Sequence, residues 1–183
     1  WTDLEEWEEQ APPPRPAQVS VAPDQARQRL AMLVGPDAEK RRAQSDFAAK
    51  ATLAFAPPDL PGAPNVLLAE AGTGTGKTLG YIAPASLWAE QNEGTVWIST
   101  FTKNLQRQLD QELDRLYPDP MEKREKAVIR KGRENYLCLL NYEDGANRAA
   151  LGVDAVATGL VARWMEASRD GDMVGGDFPA WLP

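Results

Sequence analysis

Apolar residues recur at helical spacing in two stretches near the start of the chain. The pattern predicts a short helix over residues 24–34 and a longer one over residues 36–55, where Phe47, Ala51 and Phe55 follow one face. Prolines at the following positions then force a loop, since proline fixes φ and cannot continue a helix: Pro57, Pro58, Pro61 and Pro64.

Short, unbroken apolar runs alternate with further amphipathic segments after that loop. Residues 65–70 and 95–100 have the length and apolar content of buried parallel strands, and residues 127–129 form a weaker third candidate. Between them, residues 78–90 and 103–116 read as helices. Strands that alternate with helices predict an α/β fold, in which a parallel sheet is flanked by crossover helices.

The two ends of the chain depart from this alternation. Residues 1–22 combine prolines and acids with few aliphatic side chains, which predicts a disordered leader. Beyond Gly132 the pattern becomes mostly helical, with an apolar stripe that includes Trp164. Trp164 and Trp97, which lies in a predicted strand, are both expected to be core residues. We therefore divide the chain into a leader, a domain over 23–131 and a helical region over 132–183.

Composition removes several kinds of chemistry. The 183 residues include no His and one Cys, Cys138, and carry a formal net charge of −7. Ser-His-Asp and Cys-His catalysis are excluded, as are disulfides within the chain. No stretch of about 18 apolar residues is present, so no membrane association is expected. Between Lys123 and Lys131 the charge is locally basic, which fits either a solvated face or contact with phosphates.

The glycine-rich stretch between the first predicted strand and the next helix matches a phosphate-binding P-loop. It starts with Ala71 where the pattern usually has Gly, and its remaining residues are Gly72, Thr73, Gly74, Thr75, Gly76, Lys77 and Thr78. The glycines let backbone N–H groups turn toward phosphate oxygens, and the helix that follows adds its positive dipole end. Lys77 would neutralise phosphate charge, and the Thr78 hydroxyl would bind Mg²⁺. The loop therefore predicts an ATP or GTP site.

Segments on either side of the loop resemble motifs of one helicase family. Residues 42–47 (Arg-Ala-Gln-Ser-Asp-Phe) resemble the adenine-reading segment of superfamily 2 helicases. Residues 69–78 resemble motif I of the branch that contains DinG and XPD, and residues 99–109 are similar to its motif Ia. Residues 131–138 (Lys-Gly-Arg-Glu-Asn-Tyr-Leu-Cys) resemble the start of its iron–sulfur domain. In this order, the four segments resemble the bacterial DinG family of ATP-dependent DNA helicases.

The resemblance implies a fold, cofactors and partners. The fold would be a RecA-like P-loop domain, followed by the helical start of an iron–sulfur insertion. ATP and Mg²⁺ would be used, single-stranded DNA would be bound during 5′-to-3′ unwinding, and a 4Fe–4S cluster would be held only in the full-length protein. A cytoplasmic monomer is expected. The acidic Mg²⁺-binding strand and the arginine finger that ATP hydrolysis needs are not found, so the chain is interpreted as the N-terminal part of a longer protein.

The resemblance also assigns roles to individual residues, each with a plainer alternative. Gln44 would read the adenine base, although it could be a surface residue of a helix, and Arg42 in the same segment would contribute to ATP binding. Thr100, Thr102 and Gln106 would contact DNA phosphates, although the threonines could equally cap a helix. Cys138 would be the first cluster ligand, although a Cys among leucines is often an apolar core residue.

Two other functions remain open from the sequence. The chain could belong to a different P-loop enzyme, such as a small phosphotransferase, which would turn over without DNA. It could also be a degenerate, non-catalytic P-loop module. Stimulation of ATP hydrolysis by single-stranded DNA distinguishes the helicase from both alternatives.

Overall fold

The computed structural model describes residues 14–36, 38–39, 41–58, 63–72, 74–149, 155–168, 170–174, 178–179 and 181. The chain forms two compact units, Trp1–Ala127 and Val128–Pro183. The first contains α1 (Pro23–Val34), α2 (Arg42–Ala51), α3 (Lys77–Asn92), α4 (Lys103–Leu116) and α5 (Pro120–Lys126), and the second contains α6 (Leu139–Ala149) and α7 (Ala155–Ala167). Within the described ranges, no helix is both long and apolar enough to cross a bilayer.

Helices α4 and α5 begin where the sequence supplies a capping side chain. Thr102 precedes α4, and its hydroxyl accepts a hydrogen bond from the Leu105 N–H. Asp119 caps α5 in the same way, with Pro120 at the first helical position. These side chains satisfy backbone donors that have no partner inside the helix. The predicted bounds of α1 and α4 are close to the observed ones, whereas α5 was not predicted.

The core of the first unit is made by helices packing on helices. Its centre consists of Leu30, Leu33, Ala48, Leu79, Ile82 and Ala83, all buried. The apolar face of α4 covers part of this centre through Leu109, Leu113 and Leu116, and Ile98 joins it from the segment before α4. Burial of each leucine or isoleucine side chain of this centre contributes about 1.5–3 kcal/mol. This core fixes α3, whose first residue is the P-loop lysine.

Helices α2 and α3 approach closely where a glycine faces an aromatic ring. A Cβ built on Gly80 would lie 2.5 Å from Cδ1 of Phe47, well inside van der Waals contact. Gly80 therefore lets the face of α2 that carries Phe47 lie against the first turns of α3.

Helix α1 also contacts α3, through an ion pair. The Arg29 guanidinium of α1 forms two hydrogen bonds with the Glu90 carboxylate of α3, of 2.8 and 2.5 Å.

The predicted parallel sheet is wrong for the part of the chain that the structure describes. Residues 65–70, 95–100 and 127–129 lie outside the helices, but none of them is a strand. The β-pairing found among the described residues is one isolated antiparallel bridge, between Tyr136 and Asp172. A strand exists only when its N–H and C=O groups pair with a neighbour. These segments have the apolar composition of strands, but among the described residues they have no neighbouring strand to pair with.

Several apolar side chains of the three segments face solvent instead of a sheet core. Val66, Leu68 and Val128 are mostly exposed, and Trp97 is 80% exposed. The expectation that Trp97 packs in the core is therefore wrong. The expectation for Trp164 is confirmed, because this residue is buried on α7 and makes an edge-to-face contact with Phe178.

The segment that precedes α1 is attached to the end of α3. The Asn92 side chain accepts a 2.6 Å hydrogen bond from the Val19 N–H and donates to the Val19 carbonyl, while its backbone carbonyl accepts from the Ala17 N–H. Asn92 is 2% exposed. The predicted disordered leader covers residues 1–22, of which residues 1–13 lie outside the described ranges.

In the second unit, two separate parts of the chain are joined around a buried ion pair. The Lys131 ammonium contacts the Asp172 carboxylate and donates to the Val174 carbonyl. Two backbone hydrogen bonds run beside it, from Leu137 to Gly171 and from Met173 to Asn135. The Lys-Gly-Arg-Glu-Asn-Tyr segment is thereby held against residues 170–174. The predicted boundary between residues 131 and 132 stays a prediction.

Candidate nucleotide site

The P-loop residues form a tight turn that ends at the first residue of α3. Gly74 and Gly76 both have φ of 76°, in the left-handed region that side chains with a Cβ rarely adopt. Gly76 is the N-cap of α3 and Lys77 its first residue. The turn therefore brings the loop backbone to the positive end of a 16-residue helix, which favours an anionic ligand. Thr73 lies outside the described residues.

Lys77 folds back over the beginning of the loop. Its ammonium donates hydrogen bonds of 2.7 Å to the carbonyls of both Ala71 and Gly72. The Thr75 hydroxyl donates to the same Gly72 carbonyl at 2.9 Å. These contacts place a positive charge within the turn, where it can neutralise the oxygens of a phosphate chain.

Thr78 is half-buried in the first turn of α3, next to Tyr81 along the helix face. Burial raises the pKa of the Tyr81 phenol, and the hydrogen bond with the Thr78 side chain acts in the opposite direction. A threonine hydroxyl directly after the P-loop lysine is a ligand type that suits Mg²⁺. Thr78 is the residue of this loop that would hold the metal ion, and the ion would screen phosphate charge there.

Gln44 reaches the P-loop from α2. Its Nε2 donates a 2.8 Å hydrogen bond to the Gly76 carbonyl, and the residue is 8% exposed. A Cβ on Gly76 would overlap the Gln44 amide. Gln44 is therefore a buried residue that contacts the loop, and the alternative of a surface glutamine is wrong. Its predicted contact with a base stays a prediction.

Arg41 is a site residue that the sequence reasoning missed. Its Nη1 donates a 2.7 Å hydrogen bond to the Gly74 carbonyl, and its Nε lies 3.2 Å from the Glu39 carboxylate. The predicted arginine, Arg42, has a side chain that is 96% exposed and lies 3.9 Å from Asp46. Arg41 is the N-cap of α2 and has an extended backbone, so the helical pattern of α2 does not include it and carried no signal for this contact.

An open depression of about 430 Å³ lies between the start of α2 and the P-loop. Its lining is mostly polar and consists of Glu39, Arg41, Arg42, Ala43, Gly74 and Thr75. The depression therefore joins the loop to the segment that was expected to read the base. Arg42 lines it, which is compatible with the role predicted for this residue without testing it.

The residues predicted to contact DNA lie around the start of α4. Thr102 caps this helix through its hydroxyl, as one of the two alternatives proposed. Thr100 is half-buried before the cap, and Gln106 is half-buried in the first turn. These contacts do not test DNA binding, so the DNA-binding role of the three residues stays a prediction.

The basic cluster between residues 123 and 131 is partly neutralised within the chain. Lys123 lies 2.6 Å from both Asp110 and Asp114 of α4. Lys131 is paired with Asp172 in the second unit. These two lysines therefore serve packing, and the exposed cations of the cluster that could meet phosphates are Arg124, Lys126 and Arg130.

Cys138 precedes α6, and its carbonyl accepts the first hydrogen bond of that helix, from the Tyr142 N–H. Its thiol is free and exposed, so the alternative of a buried apolar core residue is wrong. Among the described residues, no three His, Cys, Asp or Glu side chains gather as a metal site. One thiolate does not make a four-ligand cluster site.

Comparison with known proteins identifies relatives that are all much longer than this chain. It is 36% identical over 118 residues to a Bacillus subtilis protein named 3′-5′ exonuclease DinG, covering 62% of this chain and 12% of that protein. It is 40% identical over 104 residues to the ATP-dependent helicase DinG of Mycobacterium tuberculosis (strain H37Rv), covering 55% of this chain and 15% of that protein. The ATP-dependent DNA helicase YoaA of Escherichia coli K12 is 38% identical over 129 residues, covering 63% of this chain and 19% of that protein.

These similarities relate the chain to the DinG and YoaA proteins, as the sequence motifs predicted. The chain spans 12–19% of the length of these three relatives. No family model matches the chain. No solved structure matches it either.

Proposed function

We propose that this chain, a relative of the DinG-type helicases, is the N-terminal ATP-binding part of an ATP-dependent DNA helicase. The observation that carries the proposal is the geometry of the P-loop. Two left-handed glycines, the Lys77 ammonium and the start of α3 converge on one turn, and Gln44 contacts that turn from α2. This arrangement suits a nucleoside triphosphate bound with Mg²⁺.

The proposal assigns each group a task. The loop amides and Lys77 hold the phosphates, Thr78 holds Mg²⁺, and Gln44 reads the base. Arg42, which lines the depression of about 430 Å³, contributes to ATP binding. Thr100, Thr102 and Gln106 contact single-stranded DNA at the start of α4. In the full-length protein, which we expect to be a cytoplasmic monomer that unwinds DNA 5′ to 3′, Cys138 would be one ligand of a 4Fe–4S cluster. The relatives named ATP-dependent helicases support the use of ATP and the DNA substrate.

Nucleotide binding is tested on the chain itself. Titration calorimetry with Mg-ATP compares the unchanged protein with Lys77→Ala and with Lys50→Ala, an exposed residue on the last turn of α2. We expect Lys77→Ala to lose most of the affinity and Lys50→Ala to keep it. Equal affinity of all three proteins for Mg-ATP would contradict the proposal that the P-loop forms a nucleotide site.

Helicase function is tested on the full-length gene product. We expect ATP hydrolysis to rise when single-stranded DNA is added, and the rise to disappear in Lys77→Ala. A rate of ATP hydrolysis that single-stranded DNA does not change would favour another P-loop enzyme. The absence of ATP hydrolysis would favour the non-catalytic module. DNA-dependent turnover by the 183-residue chain alone would contradict the interpretation that the groups needed for hydrolysis lie elsewhere.

A further inference from the structure

We infer that Arg41 is a positioning residue, which holds the amide N–H of Thr75 in the orientation that binds phosphate; this inference rests on the proposed nucleotide site. The starting observation is the 2.7 Å hydrogen bond from the Arg41 guanidinium to the Gly74 carbonyl. Arg41 does not need to touch the ligand for this task. It acts through the peptide bond that joins Gly74 to Thr75.

The geometry of a trans peptide turns this contact into a constraint on the loop. The C=O and N–H groups of one peptide unit lie in a plane and point in opposite directions. The Gly74 carbonyl points at Arg41, so the Thr75 N–H points away from α2. Gly74 lies in the left-handed region, and glycine can leave that conformation easily because it has no Cβ. A bond to its carbonyl therefore restricts a peptide that would otherwise be free to rotate.

Gln44 applies the same constraint two residues later. It donates to the Gly76 carbonyl, which directs the Lys77 N–H away from α2. Arg41 at the N-cap of α2 and Gln44 in its first turn thus hold the carbonyls of the two left-handed glycines. The two N–H groups that follow these glycines are directed to the other side of the loop, as in backbone nests that bind anions.

The charge on Arg41 adds to this effect. A hydrogen bond from a charged donor is stronger than a neutral one, and it polarises the peptide that accepts it. Polarisation of the Gly74–Thr75 peptide makes the Thr75 N–H a better donor. The Glu39 carboxylate, 3.2 Å from the Arg41 Nε, restrains the guanidinium that makes the bond.

The test separates phosphate binding from base binding. Calorimetry measures the affinity of the chain for Mg-ATP and for magnesium tripolyphosphate, which has the phosphate chain without the nucleoside. The variants are Arg41→Met, which keeps the length of the side chain but removes its donors, and Lys50→Met, which removes an exposed charge from α2, the helix that Arg41 precedes. We expect Arg41→Met to bind both ligands about tenfold more weakly, the factor typical of one charge-assisted hydrogen bond. Lys50→Met should bind both normally.

Salt distinguishes a local bond from a long-range charge effect. At about 1 M salt the Debye length is about 3 Å, so interactions between solvent-exposed charges farther apart than that are largely screened. The deficit of Arg41→Met, relative to the unchanged chain in the same buffer, should persist at that concentration. A deficit that disappears in high salt, or one found for ATP but not for tripolyphosphate, would overturn the inference.

Amide resonances of the ligand-free chain give a second measurement. Arg41→Met should shift the Thr75 amide signal and leave those of Leu79 and Gly80 unchanged, whereas general unfolding would move all three. An unchanged Thr75 signal would also overturn the inference. Normal binding by Arg41→Met in a chain that binds ATP would refute the positioning role alone. If the unchanged chain binds neither ligand, the proposed function fails and this role fails with it.

Discussion

The Gln44 side chain and the Gly76 carbonyl are joined by a 2.8 Å hydrogen bond, in a space that leaves no room for a Cβ at residue 76. Gly76 is therefore constrained twice, by its left-handed φ of 76° and by the amide beside it. Gly74 has the same φ, but a Cβ there would meet nothing within 4 Å. Substitution of Gly74 therefore tests the left-handed backbone alone, whereas substitution of Gly76 tests the left-handed backbone together with the overlap with Gln44.

Gly76→Ala is expected to destabilise the chain more than Gly74→Ala. The left-handed conformation should cost about 1–2 kcal/mol in either variant, and the overlap with Gln44 adds to it only at residue 76. Urea denaturation gives both free energies of unfolding. Adding Gln44→Ala to Gly76→Ala should recover part of the loss, as a double-mutant cycle would show. Equal losses in the two single variants would mean that the Gln44 contact places no limit on residue 76.

Gly80→Ala is expected to destabilise the packing of α2 on α3. Alanine in a helix is normally favoured over glycine by about 0.5–1 kcal/mol, but here its Cβ would lie 2.5 Å from the Phe47 ring. Overpacking of this kind costs about 1–3 kcal/mol, so the net sign should be unfavourable. Gly145→Ala in α6, where nothing lies within 4 Å, is the matched control and should be neutral or stabilising. Thermal unfolding of both variants decides between these signs.

Asp172→Asn is expected to loosen the second unit. Lys131 and Asp172 have side chains only 17% and 11% exposed, so removal of one charge leaves the other poorly solvated. Loss of one partner from a buried pair costs about 3–5 kcal/mol, and partial exposure should reduce that value. Hydrogen exchange at the Leu137 and Met173 amides measures the effect where the two segments pair.

Asp144→Asn, at an exposed residue of α6, makes the same change of charge and serves as the control for Asp172→Asn. Exchange at Leu137 and Met173 should stay slow in this variant. Equally fast exchange in both variants would show that the chain responds to net charge and not to the ion pair.

Stability should fall above about pH 10, the ordinary pKa of tyrosine. Burial raises the pKa of Tyr81 and, as the largest cause, that of Tyr117. A phenol with a raised pKa in the folded state contributes stability that is complete below the unfolded pKa. That contribution is lost as the pH rises through the folded value, because the unfolded state releases its proton first.

The Tyr81→Phe and Tyr117→Phe variants test this dependence. Each should flatten the decline of the free energy of unfolding between about pH 9 and about pH 11, and the double variant should flatten it further. Urea denaturation across that range provides the measurement. An unchanged decline in the double variant would assign the effect to other groups.

The sequence by itself determined the local features of this protein. The spacing of leucines predicted α4 with its observed bounds, and the order of Gly, Lys and Thr identified a loop that ends at the start of α3. Such features depend on residues close in the chain, whose geometry is set by helical periodicity, capping and the freedom of glycine. The resemblance to DinG-type helicases also came from short segments in order, and the comparisons confirmed it.

Contacts between distant residues were decided only by the tertiary structure. Apolar runs at residues 65–70 and 95–100 looked like strands, but a strand needs a partner whose position no local pattern gives. The contact of Arg41, and not of Arg42, with the loop likewise depends on where the start of α2 lies relative to the loop. Packing of α2 on α3 through Phe47 and Gly80 sets that placement. The same packing brings Gln44 onto Gly76, because one rigid helix places both side chains.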